Sequence, residues 1–397
     1  MPKKVGIGLV GTGFMGRAHA NAWGGVNRFF SLRAKSVLDT VAGIEEADAD
    51  AFAERWCFER STTDWRSMLD DERIDLVDVT TPNHMHAPMA IEALASGRHV
   101  TCEKPMAGTL EDARSMRDAA RRARRKGLHA WVWFNYRRCP AVAFAHQLVK
   151  RGRLGRIFHV RAQYLQDWGG PETPLLWRFV GKEAGSGAHG DLNAHIVDMA
   201  RFVTGDELTE VTGAIEETFI KERAIVDGPG AAISGGRGRR RGRTGRSTVD
   251  DCLTFMGRMK GGAVATFEAT RLATGNQNAN KIEINGERGS LRFDFERMNV
   301  LEWWDNTLDP GLRGWNRIMC TDSEAHPYVA NYWPAAHLIG YEHCFTSMCS
   351  DILRVLSGRK SVVPLPTFED AYVTQRVLHA ATLSARERRP VKMSEVR

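Results

Sequence analysis

No stretch of this 397-residue sequence approaches the roughly 20 consecutive apolar residues of a membrane-spanning helix, so no membrane partner is expected. CxxC spacing is also missing. The seven cysteines, Cys57, Cys102, Cys139, Cys252, Cys320, Cys344 and Cys349, are an odd number in a chain too long for a disulfide-stapled scaffold, and they read as reduced, mostly buried thiols. No internal repeat is evident. Near the start, Val5-Gly6-Ile7-Gly8-Leu9-Val10 follows two lysines, but its glycines break the apolar run, so a cleaved leader is not expected and the cytoplasm is the expected location. Acidic residues are absent from Gly235 to Arg246, where six arginines account for most of the formal net charge of +7. The remainder is close to neutral, which argues against a nucleic-acid partner.

A chain of this length exceeds the size at which one core stops growing, and 43% hydrophobic residues supply two domains. Val5 to Val10 reads as a buried strand, Gly11 to Gly16 as a turn, and Arg17 to Trp23 as the start of a helix. Strand-like runs at 36–44, 74–80, 98–102 and 128–134 alternate with helical patterns at 47–56, 65–69, 88–96 and 110–126, which predicts a parallel sheet. Beyond 135, longer strands at 157–166, 252–259, 262–270, 281–285 and 289–293 are joined by turns. Helices at 191–203 and 336–357 interrupt them, and one at 368–388 closes the chain. The expectation is an α/β protein, with a doubly wound parallel sheet in 1–134 and a mostly antiparallel sheet in 135–397. Residues 227–248, dense in glycine and arginine, read as a flexible insertion.

Gly11-Thr12-Gly13-Phe14-Met15-Gly16 fits G-x-G-x-x-G between the first strand and helix. The first glycine permits a tight turn, the second lets backbone approach a pyrophosphate, and the third packs helix on strand, with helix amides facing the phosphates. This points to a dinucleotide on a Rossmann domain. An acid at the end of the second strand binds a ribose diol and repels a 2′-phosphate; Glu45 is the candidate, so NAD is expected ahead of NADP. Asp39, nearer the strand start, competes for that role. Thr80-Thr81-Pro82-Asn83-His84-Met85-His86 follows another strand at the carboxyl edge where such sheets bind ligands, which offers Thr81, Pro82, Asn83 and His86 to the cofactor. No Cys or carboxylate cluster joins its two histidines, so a polar turn is expected there and no metal.

Glu103-Lys104-Pro105 sets a lysine on an extended turn, because the residue before proline is pushed out of the helical region. Taken alone, Lys104 is an ordinary surface lysine. Asp191 and His195 are four apart in Gly185-Ser186-Gly187-Ala188-His189-Gly190-Asp191-Leu192-Asn193-Ala194-His195 and share a helix face. They read either as an N-terminal acid with a packed histidine, or as a general base oriented by a carboxylate.

In combination, GTGFMG, TPNHMH, EKP and GDLNAHIVD resemble the Gfo/Idh/MocA family of NAD(P)-dependent oxidoreductases. The segments Phe134 to Arg138, Tyr164 to Trp168 and Leu176 to Phe179 resemble the branch that oxidises the C3 hydroxyl of an anhydro-sugar or glucoside. That resemblance implies a second domain with a large open sheet that binds substrate and supports a homodimer or homotetramer. It implies that Glu103 and Lys104 meet the cofactor, that Lys104 also hydrogen-bonds the reacting hydroxyl, and that His195 takes the hydroxyl proton while Asp191 orients the sugar. Tyr136, Gln166, Trp168 and Arg178 would bind the sugar, although Trp168 and Trp177 fit a core equally well. A cis bond before Pro105 is part of the same expectation. Inositol oxidation and keto-sugar reduction stay open as alternatives, and the intact Lys104, Asp191 and His195 argue against a non-catalytic cofactor sensor.

Overall fold

The computed structural model describes residues 2–226 and 240–396. They form two compact units: one runs to Arg138 and includes Pro327–Tyr372, and the other holds Cys139–His326 and the chain from Val373 onward. A sequence boundary at 134/135 does not anticipate the return of Pro327–Tyr372 to the first unit.

The first unit is built on β1 (Lys3–Val10), α1 (Phe14–Phe29), β2 (Ala34–Ala42), α2 (Glu46–Trp56), β3 (Arg60–Thr62), β4 (Leu76–Val79), α3 (His86–Ala95), β5 (His99–Cys102), α4 (Leu110–Arg124) and β6 (Ala130–Val132). All six strands run parallel in the order β3-β2-β1-β4-β5-β6. The chain winds outward from β1 to β3 and then crosses back to β4, so the topological switch lies beside β1, where doubly wound sheets bind ligands. The last six residues of β1 are buried, the continuous burial expected of a strand covered on both faces. Helix α1 buries Gly16, His19, Ala20, Trp23 and Val26, one stripe at helical spacing. The side chain of Thr109 caps α4 by accepting from the Asp112 amide, with acids in its first turn and arginines in its last.

The second unit carries α5 (Pro140–Lys150), β7 (Ile157–Leu165), α6 (Gly181–Ala184), α7 (Ala194–Thr204) and strands β8 (Leu208–Glu217), β9 (Glu222–Val226), β10 (Arg240–Arg246), β11 (Cys252–Met259), β12 (Val264–Thr270), β13 (Ala279–Gly286), β14 (Gly289–Asp294), β15 (Val300–Asp305), β16 (Trp315–Met319) and β17 (Val391–Lys392). Nine strands form one sheet in the order β16-β15-β14-β13-β7-β12-β11-β8-β17. Every neighbour pair is antiparallel except β7 and β12. That parallel pair therefore shares a carboxyl edge.

Several elements differ from the expectation. α5, β8, β15 and β16 were not anticipated, the helix expected from 336 begins at Tyr341, and Trp65–Met68 forms a 3-10 turn where a helix was predicted. Part of the expected flexible insertion is ordered, since β10 pairs antiparallel with β9; residues 227–239 lie outside the described residues. All seven cysteines are thiols, and only Cys57 is exposed. No helix among the described residues is long and apolar enough to cross a membrane.

Candidate active site

In the first unit the glycine turn leaves β1 at its carboxyl end. Gly11 has φ of +110°, and a Cβ there would lie 2.7 Å from Thr80 Oγ1. A Cβ on Gly16 would come within 2.1 Å of the Gly11 carbonyl oxygen, so α1 can pack on the turn only with glycine there. Gly13 is different: nothing lies within 4 Å of its absent side chain. Gly13 is also the N-cap of α1, with no side-chain cap hydrogen bond and no acid in the first turn. The helix therefore presents bare amides and its positive dipole end beside an open approach, which suits a pyrophosphate. Within the turn Thr12 is half-buried beside Gly43, Phe14 is exposed and Met15 is half-buried. Glu45 is exposed at the N-cap of α2, just beyond the end of β2. Asp39, by contrast, is buried in β2, paired with Arg60 and accepting from Thr40 Oγ1.

The TPNHMH segment leaves β4 at the same edge, with Thr81, Pro82 and Asn83 half-buried. His86 is fully buried, its ring nitrogens 2.9 Å from the Thr81 carbonyl oxygen and 3.0 Å from that of Pro105. Its ring is committed to these carbonyls, whereas His84 is exposed. Burial pulls the His86 pKa down, so the neutral ring donates to one of the two. The Lys104–Pro105 bond is cis. Glu103, only 4% exposed, accepts the Lys104 amide at 3.0 Å through Oε2 and faces His19 Nε2 at 2.9 Å through Oε1. Sequence reasoning did not single out His19, whose other nitrogen lies 2.9 Å from Asp78 Oδ2. Tyr136 is buried, with its ring 6.4 Å from that of Tyr341.

In the second unit the candidates gather at the shared carboxyl edge of β7 and β12. The exits of the two strands are stitched together: the Gln166 amide donates to the Thr270 carbonyl, and the Ala273 amide to the Gln166 carbonyl, both at 2.9 Å. Trp168 Nε1 donates to Gln166 Oε1 at 2.6 Å, while Gln166 Nε2 and the Tyr164 hydroxyl both donate to Asn278 Oδ1. Trp168 also packs on the cluster of Leu176, Phe179, Ala184 and Val249, so it is part of a core as well as of this wall. Trp177 packs there too, with the Arg178 guanidinium 4.4 Å from its ring centroid.

Asp191 lies in a π-helical turn, His189–Asn193, that runs straight into α7. Such turns recur at functional sites because they re-aim side chains. Asp250 anchors the turn by accepting the Gly187 amide at 2.6 Å and the His189 amide at 2.7 Å. His189 donates from Nε2 to the Leu378 carbonyl and accepts from Asn193 Nδ2, and burial keeps its pKa low and the ring neutral. Arg271, which sequence reasoning missed, donates to Asp191 Oδ2 at 2.8 Å while 1% exposed. It also spans the rings of Trp168 and Phe179, with centroids 5.0 and 5.7 Å away. The His195 ring, 7% exposed, lies 5.8 Å from that of Tyr164.

Comparison with known proteins decides the family. Residues 5–130 match the oxidoreductase family with NAD-binding Rossmann fold, and residues 142–292 match the GFO/IDH/MocA C-terminal domain. The levoglucosan dehydrogenase of Pseudarthrobacter phenanthrenivorans is 39% identical over 386 residues, 96% of each chain. The chain belongs to the Gfo/Idh/MocA family. Among solved members, an oxidoreductase domain protein from Kribbella flavida superposes with a TM-score of 0.91 at 44% identity, covering 99% of this chain and 100% of that one. A levoglucosan dehydrogenase in complex with NADH and levoglucosan gives 0.89 at 37% identity over 98% of this chain and 100% of that one. As a member of this family the protein is an NAD-dependent oxidoreductase. The open Gly13 approach and uncapped α1 fit that cofactor physically, with Gly11 to Gly16 available to its pyrophosphate.

Proposed function

We propose that the protein oxidises a secondary hydroxyl, at C3, of levoglucosan or a related glucoside to the keto-sugar, with Lys104, Asp191 and His195 as the catalytic set. Asp191 carries this reading: a carboxylate held by a buried arginine, at an edge that also carries amides, a phenol and an indole. Neutral donors and acceptors beside an aromatic face read sugar hydroxyls and C–H surface. Similarity to levoglucosan dehydrogenase across nearly the whole chain supports the same substrate class.

NAD, when bound, accepts the hydride from the alcohol carbon. The chain's own residues manage the proton and the charge. His195 takes the hydroxyl proton, because an imidazole is the side chain whose basicity suits neutral pH. Lys104 stabilises the developing alkoxide, and Asp191, held by Arg271, orients the sugar. Gln166, Trp168, Arg178 and Tyr136 would complete the sugar contacts, and Glu45 the adenosine ribose. Thr81, Pro82 and Asn83 flank the cofactor at the β4 edge.

The test is a panel of anhydro-sugars, glucosides and inositols with NAD and NADP, assayed in both directions by absorbance, on wild type and on Lys104→Ala and His195→Ala. Turnover is expected on anhydro-sugars or glucosides and to fall by about 100-fold or more in each variant, with NADH binding retained. Full activity in both variants would remove the mechanism, and exclusive activity on inositols would remove the substrate.

A further inference from the structure

Asp78 is a charged residue inside the otherwise apolar strand β4, and it is fully buried. Oδ1 accepts from Thr101 Oγ1 at 2.8 Å and Trp133 Nε1 at 2.9 Å, Oδ2 accepts from Trp23 Nε1 at 2.8 Å, and His19 Nδ1 lies 2.9 Å from Oδ2. With three donors already on its two oxygens, Asp78 is set up as an acceptor, and the ring nitrogen beside it is placed to donate. On its far side the His19 ring meets Glu103, the residue that accepts the Lys104 amide. The ring therefore sits between two buried carboxyl groups, one at each of its nitrogens.

We propose that His19 is a positioning residue for Lys104: as an imidazolium donating from both nitrogens, it ties Glu103 to Asp78, and Glu103 in turn fixes the backbone of the lysine turn. The inference rests on the reading of Lys104 as the group that meets the substrate hydroxyl. His86 holds the same turn from its other end through the Pro105 carbonyl, so the motif is gripped by two buried imidazoles of opposite charge state. The surroundings favour the cation. The Trp133 and Phe345 rings lie 4.1 and 5.5 Å from the His19 ring. Burial lowers the His19 pKa, but Asp78 and Glu103 outweigh it and raise the value to about 9. Close to Asp78 and Glu103, the Cys102 and Cys349 thiols are pushed up by burial and hence neutral, and His86 lies beyond Glu103.

Two measurements test this. In ¹⁵N-histidine NMR of the wild-type enzyme, with His19 assigned by through-bond correlation to its backbone amide, both ring nitrogens should report as protonated at about pH 8, where an ordinary histidine is neutral. In kinetics, His19→Gln presents an amide that donates from one end only, so it cannot satisfy both carboxylates. Its kcat should fall about 10- to 100-fold, the scale of a misplaced catalytic group, while the NADH Kd stays within about threefold. A neutral His19 ring at that pH overturns the proposal even if the variant fails to fold. So does a folded, NADH-binding variant with wild-type kcat, provided Lys104→Ala is inactive. An active Lys104→Ala instead removes the reading of Lys104 and leaves the NMR result to decide the state of the ring.

Discussion

Gly13 and Gly16 belong to one fingerprint, yet alanine at each should fail differently. At Gly13 the backbone has φ of −72°, which any residue adopts, and nothing lies within 4 Å of a new Cβ. The cofactor-free protein should lose no more than about 0.5 kcal/mol, the modest preference for glycine over alanine at an N-cap. The methyl group would, however, stand where backbone must approach a pyrophosphate. Losing one charge-assisted amide hydrogen bond costs about 1.5–3 kcal/mol, or roughly 10- to 150-fold in Kd. At Gly16 the new Cβ would lie 2.1 Å from the Gly11 carbonyl oxygen, a backbone atom that cannot rotate away. Overpacking of this kind costs about 1–3 kcal/mol, which lowers Tm by about 2–12 °C in a unit of this size. Calorimetric titration with NADH and thermal melts without it separate the cases: Gly13→Ala should bind poorly with an unchanged Tm, and Gly16→Ala should lose both. Wild-type NADH affinity in Gly13→Ala would refute the assignment of that opening to the pyrophosphate.

Glu45→Ala should weaken NADH about 5- to 30-fold, the loss of one or two hydrogen bonds to a charged group at an exposed site, and should narrow the preference over NADPH; an unchanged NADH to NADPH ratio of Kd values would exclude Glu45 from the ribose. Arg271→Met should lower kcat/KM about 10- to 100-fold, because Asp191 loses the cation that orients it, and Arg271→Lys should restore little of it since an ammonium cannot reproduce the planar fork that also spans Trp168 and Phe179. Steady-state kinetics on both variants, alongside a melt to confirm folding, checks this.

The elements that were legible in the sequence are those whose pattern and burial coincide. β11 was read to the residue because its buried and exposed positions alternate, and the β1 turn because glycine spacing is dictated by close approach. β16 was invisible for the opposite reason: all five of its residues are exposed or half-buried, so no periodicity is written into it. β10 is an arginine-rich strand whose pairing with β9 has no apolar signature. α5, by contrast, was legible though not anticipated, with Pro140 in its first turn and buried residues along one face. Within the candidate site, the motifs name Lys104, Asp191 and His195 but not the side chains that hold their turns. One signal was available: Asp78 stands in an apolar strand, and a buried carboxylate requires donors. His19 and Trp23, four apart on the inner stripe of α1, could have been nominated as those donors. Arg271 gave no comparable sign, since a lone arginine after a strand is an ordinary surface residue.

The two units solve the same electrostatic problem with different cations. Lys104 is attached to a turn whose carboxylate, Glu103, is held by the imidazole of His19; Asp191 is a carboxylate held by the guanidinium of Arg271. In each case the supporting cation is nearly or fully buried, so its pairing is poorly screened by salt and its geometry is fixed by packing. The difference lies in titration. A guanidinium keeps its charge at every working pH, whereas an imidazolium with a pKa near 9 gives it up at the alkaline end. The lysine turn is therefore the support that responds to pH, and the Asp191 support does not. An alkaline loss of kcat should consequently depend on His19 and be insensitive to Arg271→Met once the lower baseline of that variant is taken into account.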